Sequence, residues 1–152
     1  MRMDEILMRG QSECGVTETL NFSGFKPGYS YKLIEFMILP GVALGGAQPE
    51  VVGSITAGKT AVDPASQNFN EEGLIGSAVF SMSNVPTEGS GPIGYSIVND
   101  TFLITQNLLL TVQDIGTSNM AVNWQCRFMP VKLSGSEEAV ANYKQFTISD
   151  GS

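Results

Sequence analysis

The octapeptide Gly53–Thr60, GSITAGKT, fits the pattern G-x-x-x-x-G-K-[ST] of phosphate-binding loops. In such a loop, backbone N–H groups surround the phosphates of ATP or GTP, the lysine reaches the terminal phosphates, and the final hydroxyl binds Mg²⁺. This chemistry needs a buried parallel strand before the loop. It also needs a helix after the loop, with its N-terminus pointing at the phosphates.

The residues around this motif do not supply those elements. Pro49 limits any strand before Gly53, and Pro64 is followed by a polar run without an apolar face at helical spacing. Asp114, at the end of the apolar segment LLLTVQD, is the one loose candidate for the acidic partner of a nucleotide site. We therefore predict no nucleotide binding and interpret Lys59 as a charge on a strand edge or loop.

No other pattern of reactive residues points to catalysis. The sequence has no histidine, which excludes Ser-His-Asp and Cys-His catalysis and most zinc or copper sites. Glu71 and Glu72 could offer oxygen ligands to a hard cation, but adjacent residues of an extended chain point to opposite faces. They are interpreted as a solvated acidic turn. We predict no enzyme, no catalytic residue, no metal site and no cofactor.

The two cysteines, Cys14 and Cys126, are far apart in the sequence and have no metal-ligand spacing. Both are predicted to be buried small hydrophobic residues, in a protein that is made in a reducing cytoplasm and is kept there or released by lysis. Asp4 and Glu5 interrupt the apolar core that a signal peptide would need, and no apolar stretch is long enough to span a membrane.

Composition narrows the range of partners. The 152 residues include 42% hydrophobic but only 15% charged residues, and the formal net charge is −7. The length fits one domain with a substantial core. A surface of this charge repels nucleic acids and anionic membranes, so we expect no direct nucleic-acid contact.

Hydrophobic periodicity indicates a helix-poor fold. Several segments alternate or are rich in β-branched and aromatic residues, and the clearest is MAVNWQCRFMPVKL, residues 120–133. The other predicted strands lie at 14–22, 29–41, 50–56, 73–82, 95–106, 107–114 and 145–149. Residues 136–144 are the one helix candidate. The pattern predicts an all-β protein, an antiparallel β-sandwich of jelly-roll or Greek-key topology. Residues 1–11 are assigned to an N-terminal segment and residues 12–152 to the sandwich domain.

The segment Tyr29–Leu39 is apolar on both alternating faces. A sandwich strand with one wet face should not have this pattern. Either loops or the N-terminal segment cover the outer face, or another subunit does. The low surface charge favours a subunit interface, with Ile34, Phe36 and Ile38 as its candidate residues.

The strand-rich runs from residue 95 to 114 and from 120 to 133 resemble small single jelly-roll proteins of viral and phage virions. These include capsid, penton and decoration proteins. The resemblance implies a structural virion protein that forms a homo-oligomer, a trimer or pentamer, and contacts other virion proteins. The N-terminus, MRMDEILMRGQSE, is not the basic arm of genome-contacting shell proteins. A position on the outer shell, at a vertex or over a membrane is therefore expected.

Two alternatives remain open. Tyr29, Tyr31 and Tyr95 fall at strand starts and could stack on sugar rings, which would indicate a carbohydrate- or receptor-binding module. The second alternative is a sandwich enzyme with carboxylates that converge in a cleft. Trp124, in the most regular strand, is interpreted as a core residue.

Overall fold

A computed structural model of the protein describes residues 5–22, 29–41, 50–82, 92–116, 119–132 and 140. The predicted helix at 136–144, apart from Val140, and the predicted strand at 145–149 lie outside these residues. No helix among the described residues is long and apolar enough to cross a membrane.

In the described residues, eight strands form two antiparallel sheets that pack face to face. The strands are β1 (Ile6–Ser12), β2 (Thr17–Leu20), β3 (Tyr29–Pro40), β4 (Glu50–Thr56), β5 (Leu74–Met82), β6 (Pro92–Val98), β7 (Leu108–Asp114) and β8 (Val122–Lys132). One sheet has the order β1-β8-β3, and the other has the order β2-β7-β4-β5-β6. The predicted all-β antiparallel sandwich is confirmed.

The pairing follows the pattern of a rolled antiparallel hairpin. The first strand pairs with the eighth, the second with the seventh, and the fourth with the fifth, which is the nesting of a jelly roll. Strand β6 departs from that nesting. Instead of pairing with β3 it extends the larger sheet beside β5. On the side away from β8, the described part of the chain gives β3 a single isolated bridge, between Tyr31 and Ile104.

Residues 6–11, assigned from the sequence to a separate N-terminal segment, form most of β1. This strand pairs with β8 along its whole length, from Ile6 opposite Phe128 to Ser12 opposite Val122. Strand β1 contacts the edge of the core through Trp124 of β8. The Trp124 ring lies over Gly10, and its Nε1–H donates to Ser12 Oγ at 2.9 Å. Trp124 is half-buried against the core and not enclosed by both sheets.

A β-bulge in β3 determines which of its residues face the core. The pairing register with β8 shifts between Leu33 and Glu35. A bulge inserts an extra residue, so the alternation of side chains changes phase there. Leu33 before the bulge and Phe36 and Ile38 after it therefore all point inward, with exposures of 0%, 0% and 8%.

This burial corrects the interface expected from the sequence. Phe36 and Ile38 are core residues, and Ile34 is only partly exposed beside the bulge. A strict period of two predicts opposite faces for Leu33 and Phe36. The bulge that changes this alternation has no distinct signal in a run of apolar residues. The residues that a strict alternation assigns to a second apolar face of β3 therefore point, for the most part, into the same core as the first.

The two sheets approach closely where glycines face Phe36. A Cβ added at Gly53 would lie 3.0 Å from the Phe36 ring, and one added at Gly76 would lie 2.9 Å from Leu33 Cδ2 and 3.2 Å from Ile55 Cβ. A side chain at either position would push the sheets apart. These glycines are required by close packing and not by an unusual backbone conformation.

We predict that Gly76→Ala destabilises the fold by about 1–3 kcal/mol, because the added methyl overpacks a fully buried site. Gly94→Ala, in the neighbouring strand β6, is the matched control. Its Cβ would lie 3.4 Å from Phe80, which is an ordinary contact, so its effect should be small. Urea unfolding of both variants at equal protein concentration measures the difference. Equal midpoints for Gly76→Ala and the parent protein would contradict the close packing.

Candidate functional site

The phosphate-loop motif is placed where it cannot bind a nucleotide in the usual way. Residues 53–56 belong to the central strand β4, which is antiparallel to both of its neighbours. The motif continues into a bend at 57–60 and not into a helix. The Ala57 amide, which would face a phosphate, donates instead to the carbonyl of Gly73 at 2.7 Å. Lys59 and Thr60 are exposed on the bend.

The segment that follows the motif folds back over the outer face of β4. Ser54 Oγ donates to the Val62 carbonyl at 2.7 Å, and the Val62 amide donates to Thr56 Oγ1 at 3.0 Å. The side-chain amide of Gln67 donates to the carbonyls of Gly53 and Pro64, at 3.2 and 3.0 Å. Loop residues thus cover β4 and satisfy its buried polar groups.

Asp114 has a structural role in the turn between β7 and β8. It is 3% exposed, and its two carboxylate oxygens accept hydrogen bonds from the amides of Gly116 and Met120 at 2.9 and 3.1 Å. Asp114 pairs with Val51, whereas the phosphate-loop motif continues beyond Thr56. Val51 and Thr56 are five residue steps apart along β4, or roughly 17 Å at about 3.4 Å per residue. Asp114 and Lys59 therefore lie at opposite ends of β4.

The remaining reactive residues are not brought together either. Glu71 and Glu72 are exposed in a turn. No group of three or more metal-ligating side chains occurs within the part of the chain that the structure describes. Both cysteines are free, and burial raises the pKa of the Cys126 thiol to about 12, far from the value of a nucleophile. Cys14 is only partly buried, and its Sγ accepts a hydrogen bond from the Asp114 amide at 3.2 Å.

The three tyrosines considered for sugar stacking occupy different environments. Tyr31 is a core residue that packs against Phe22, with ring centroids 5.4 Å apart, and burial raises its pKa, with a smaller effect from Tyr29. Tyr29 is half-buried. Tyr95, by contrast, is 71% exposed on β6. The three rings do not form one row.

Tyr95 belongs to an exposed apolar surface, which we call the β5–β6 face. Its five members are large hydrophobic residues that are each 38% to 71% exposed: Phe69, Val79, Ile93, Tyr95 and Ile97. The strand residues share one side of the sheet, because Val79 pairs with Tyr95 and because Ile93, Tyr95 and Ile97 alternate along β6. Phe69 joins them at a groove of ≈ 400 Å³ that also contacts Tyr95 and Ile97.

The outer face of the other sheet is different in character. Arg127 lies there between two carboxylates, 3.4 Å from Glu5 and 4.0 Å from Glu35. Gln125 donates to Glu35 at 3.1 Å, and Gln11 donates to Asn123 at 3.0 Å. Among the exposed apolar residues of this face, Leu7 lies opposite Arg127, and Met37 and Leu39 lie together on β3. Neither β5 nor β6 contains a charged residue.

Sequence reasoning identified Tyr95 but missed the face around it. The sequence predicts an apolar strand over residues 95–106, whereas β6 ends at Val98 and lies at a sheet edge among the described residues. A local signal was present: Ile93, Tyr95 and Ile97 alternate with Gly94 and Ser96, at a period of two. Large side chains on one face and small ones on the other are typical of a strand that packs against few core residues.

Neither a scan of protein-family models nor a search of curated proteins found a match to this chain. Any functional assignment therefore depends on the geometry and chemistry of the described residues.

We predict that the chain has no measurable affinity for Mg-ATP or Mg-GTP, and that Lys59→Ala and Thr60→Ala leave the free energy of unfolding nearly unchanged. Both residues are exposed on a bend without a helix to orient them toward an anion. Isothermal titration calorimetry checks the first point and urea unfolding the second. Micromolar nucleotide binding that disappears in Lys59→Ala would contradict this prediction.

Proposed function

We propose that this protein is a non-enzymatic structural subunit of a virion, of the capsid, vertex or decoration type, which assembles with copies of itself. The observation that carries the self-assembly is the β5–β6 face, with five large apolar residues exposed and no charged residue in either strand. Contiguous apolar surface of this kind is typical of interaction sites on soluble proteins.

A structural role is supported by the polar and ionisable side chains that stabilise the fold itself. The Asp114 carboxylate stabilises a turn, and the Cys126 thiol is held protonated by burial. The hydroxyls of Ser54 and Thr56 secure the loop that covers β4. These groups contribute to the stability of the sandwich and leave little for chemistry on a substrate.

The virion setting is supported by the combination of a jelly-roll strand order, a charge-poor composition and a net charge of −7. A subunit of this charge has no electrostatic attraction to a genome, so a position on the outer shell or at a vertex fits it best. Contacts with other virion proteins belong to the same proposal. A trimer or a pentamer stays the predicted oligomer.

A second candidate is a carbohydrate- or receptor-binding module, because the groove beside Tyr95 and Phe69 offers two exposed aromatic rings. Its polar lining argues against sugar recognition. The Gln67 amide nitrogen already donates to two carbonyls, and its oxygen accepts from Ser77 Oγ. Asn68 Oδ1 accepts from the Asn70 amide. A sugar hydroxyl would therefore have to compete with intramolecular hydrogen bonds, whereas an apolar partner would not.

We predict that Tyr95→Lys lowers the mass of the assembled protein measured by light scattering and native mass spectrometry, because a charge would be buried in an apolar contact. Tyr95 is 71% exposed in the protomer, so the variant should stay folded. The matched control is Leu7→Lys, at a residue that is 44% exposed on β1 of the other sheet and should leave the mass unchanged. A wild-type protein that is monomeric at high micromolar concentration would overturn the proposal.

The carbohydrate alternative predicts a different result. A glycan array would then show binding by the monomeric protein that is lost in both Phe69→Ala and Tyr95→Ala, since each removes one stacking ring. Unchanged binding in both variants, or no binding by the parent protein, would exclude the groove as a sugar site.

A further inference from the structure

Within the described parts of the chain, four strands lie at sheet edges: β1 and β3 in the smaller sheet, and β2 and β6 in the larger one. Unpaired strand edges template pairing with other chains, and natural proteins protect them with charge, shortness or bulges. Strand β1 carries Arg9, and β2 has only four residues, including Glu18. Strand β3 carries Lys32, Glu35 and a bulge. Strand β6, PIGYSIV, has no charge, and its described pairing with β5 has no bulge. Pro92 stands at its start.

The backbone groups on the open edge of β6 can be assigned from one hydrogen bond. The Asn99 amide donates to the Ile75 carbonyl at 2.8 Å, and these two residues continue the β5–β6 register. Hydrogen-bonded and non-hydrogen-bonded pairs alternate in an antiparallel ladder. Ile93, Tyr95 and Ile97 therefore direct their N–H and C=O groups toward β5. Gly94 and Ser96, both exposed, direct theirs away from it.

The residues of this edge are symmetric in chemical type about Tyr95. The sequence Ile93–Ile97 reads large aliphatic, small, aromatic, small, large aliphatic. In an antiparallel pair of two such strands centred on Tyr95, each isoleucine lies opposite an isoleucine, Gly94 opposite Ser96, and Tyr95 opposite Tyr95. Because β6 is uncharged, two copies that each carry a net charge of −7 would place no like charges against each other in this ladder.

We propose that β6 pairs antiparallel with β6 of a second copy of this chain around a two-fold axis at Tyr95. The two five-stranded sheets then continue into one sheet. Gly94 and Ser96 of each copy exchange hydrogen bonds with Ser96 and Gly94 of the other, four bonds in all by the alternation of the ladder. The side chains at 93, 95 and 97 of both copies form one apolar stripe on the outer face. This inference rests on the proposed self-assembly and adds to it a contact at the strand edge, while the apolar stripe stays on the surface of the joined sheet.

Pro92 limits the length of the contact. Centred on Tyr95, the ladder would next bring Pro92 opposite Val98, but proline has no N–H to donate. Val98 is also only partly exposed. The strong pairing is thus confined to the residues between them. A two-fold contact of this kind forms a dimer by itself. If another surface of the protein forms a trimer or pentamer, the β6 contact joins two such oligomers.

Two measurements test the pairing. Ser96→Pro removes an N–H that points away from β5, so the protomer keeps its β5–β6 hydrogen bonds while two of the four intersubunit bonds are lost. We expect the dissociation constant measured by sedimentation equilibrium to rise roughly tenfold or more. Ser96→Thr, which keeps the N–H, should assemble like the parent protein. A folded Ser96→Pro variant with unchanged affinity would overturn the β6 pairing.

Cysteine cross-linking tests the register and does not depend on the proline variant folding. Residues at a non-hydrogen-bonded antiparallel position have Cα atoms about 4.5 Å apart, within the range that a disulfide spans. Mild oxidation should therefore link Tyr95→Cys to a second copy of itself, while Ile93→Cys and the parent protein, with Cys14 and Cys126, should not form this dimer. Equal cross-linking of Ile93→Cys and Tyr95→Cys, or of neither, would overturn the axis at Tyr95.

These results also separate this inference from the proposed function. An oligomer that is broken by Tyr95→Lys but not by Ser96→Pro would retain the β5–β6 face as an interface and reject the strand pairing. A wild-type monomer at high micromolar concentration would reject both.

Discussion

The packing of Phe36 against two glycines is the contact on which the sandwich depends. Phe36 extends from β3 across the space between the sheets, and Gly53 of β4 and Gly76 of β5 leave room for it and for Leu33. The bulge between Leu33 and Glu35 is what allows both side chains to point to the same face. Without the change of phase, one of the two would face solvent, and the sheets would lose their central contact.

That central contact concentrates the core over β4, β5 and β7 and leaves β6 at its margin. The fully buried residues include Val51, Ile55, Ile75, Leu108, Leu110 and Val112, which all belong to those strands. Strand β6 contributes only Val98 to the packing around the core. The residues of β6 on the inward face, Gly94 and Ser96, are small. The large residues of β6 therefore become buried only if something outside the protomer covers the β5–β6 face.

Polar groups also differ between the covered strand β4 and the exposed strand β6. Where the loop from residue 57 to 73 covers β4, hydroxyls and amides are matched within the chain, as in the bonds from Ser54 to Val62 and from Gln67 to Gly53. On the smaller sheet, Arg127 and its carboxylates keep the outer face solvated. The β5–β6 face has neither a covering loop along β6 among the described residues nor a charge network. This contrast is why the assembly proposal is located there and not on β3.

The sequence by itself determined the fold class and most of the strands, since alternation of side chains along a strand is a local property. The segments predicted for β4, β5, β7 and β8 agree closely with the observed strands, and the burial of Val122, Cys126 and Phe128 follows the predicted alternation. The absence of histidine, also a property of the sequence, excluded imidazole chemistry without any structure. Which apolar residues meet and which stay exposed was decided only by the tertiary structure. The bulge in β3 moved Phe36 and Ile38 into the core, and the pairing of β6 with β5 left Tyr95 at an edge, because register and strand order depend on contacts between residues far apart in the chain.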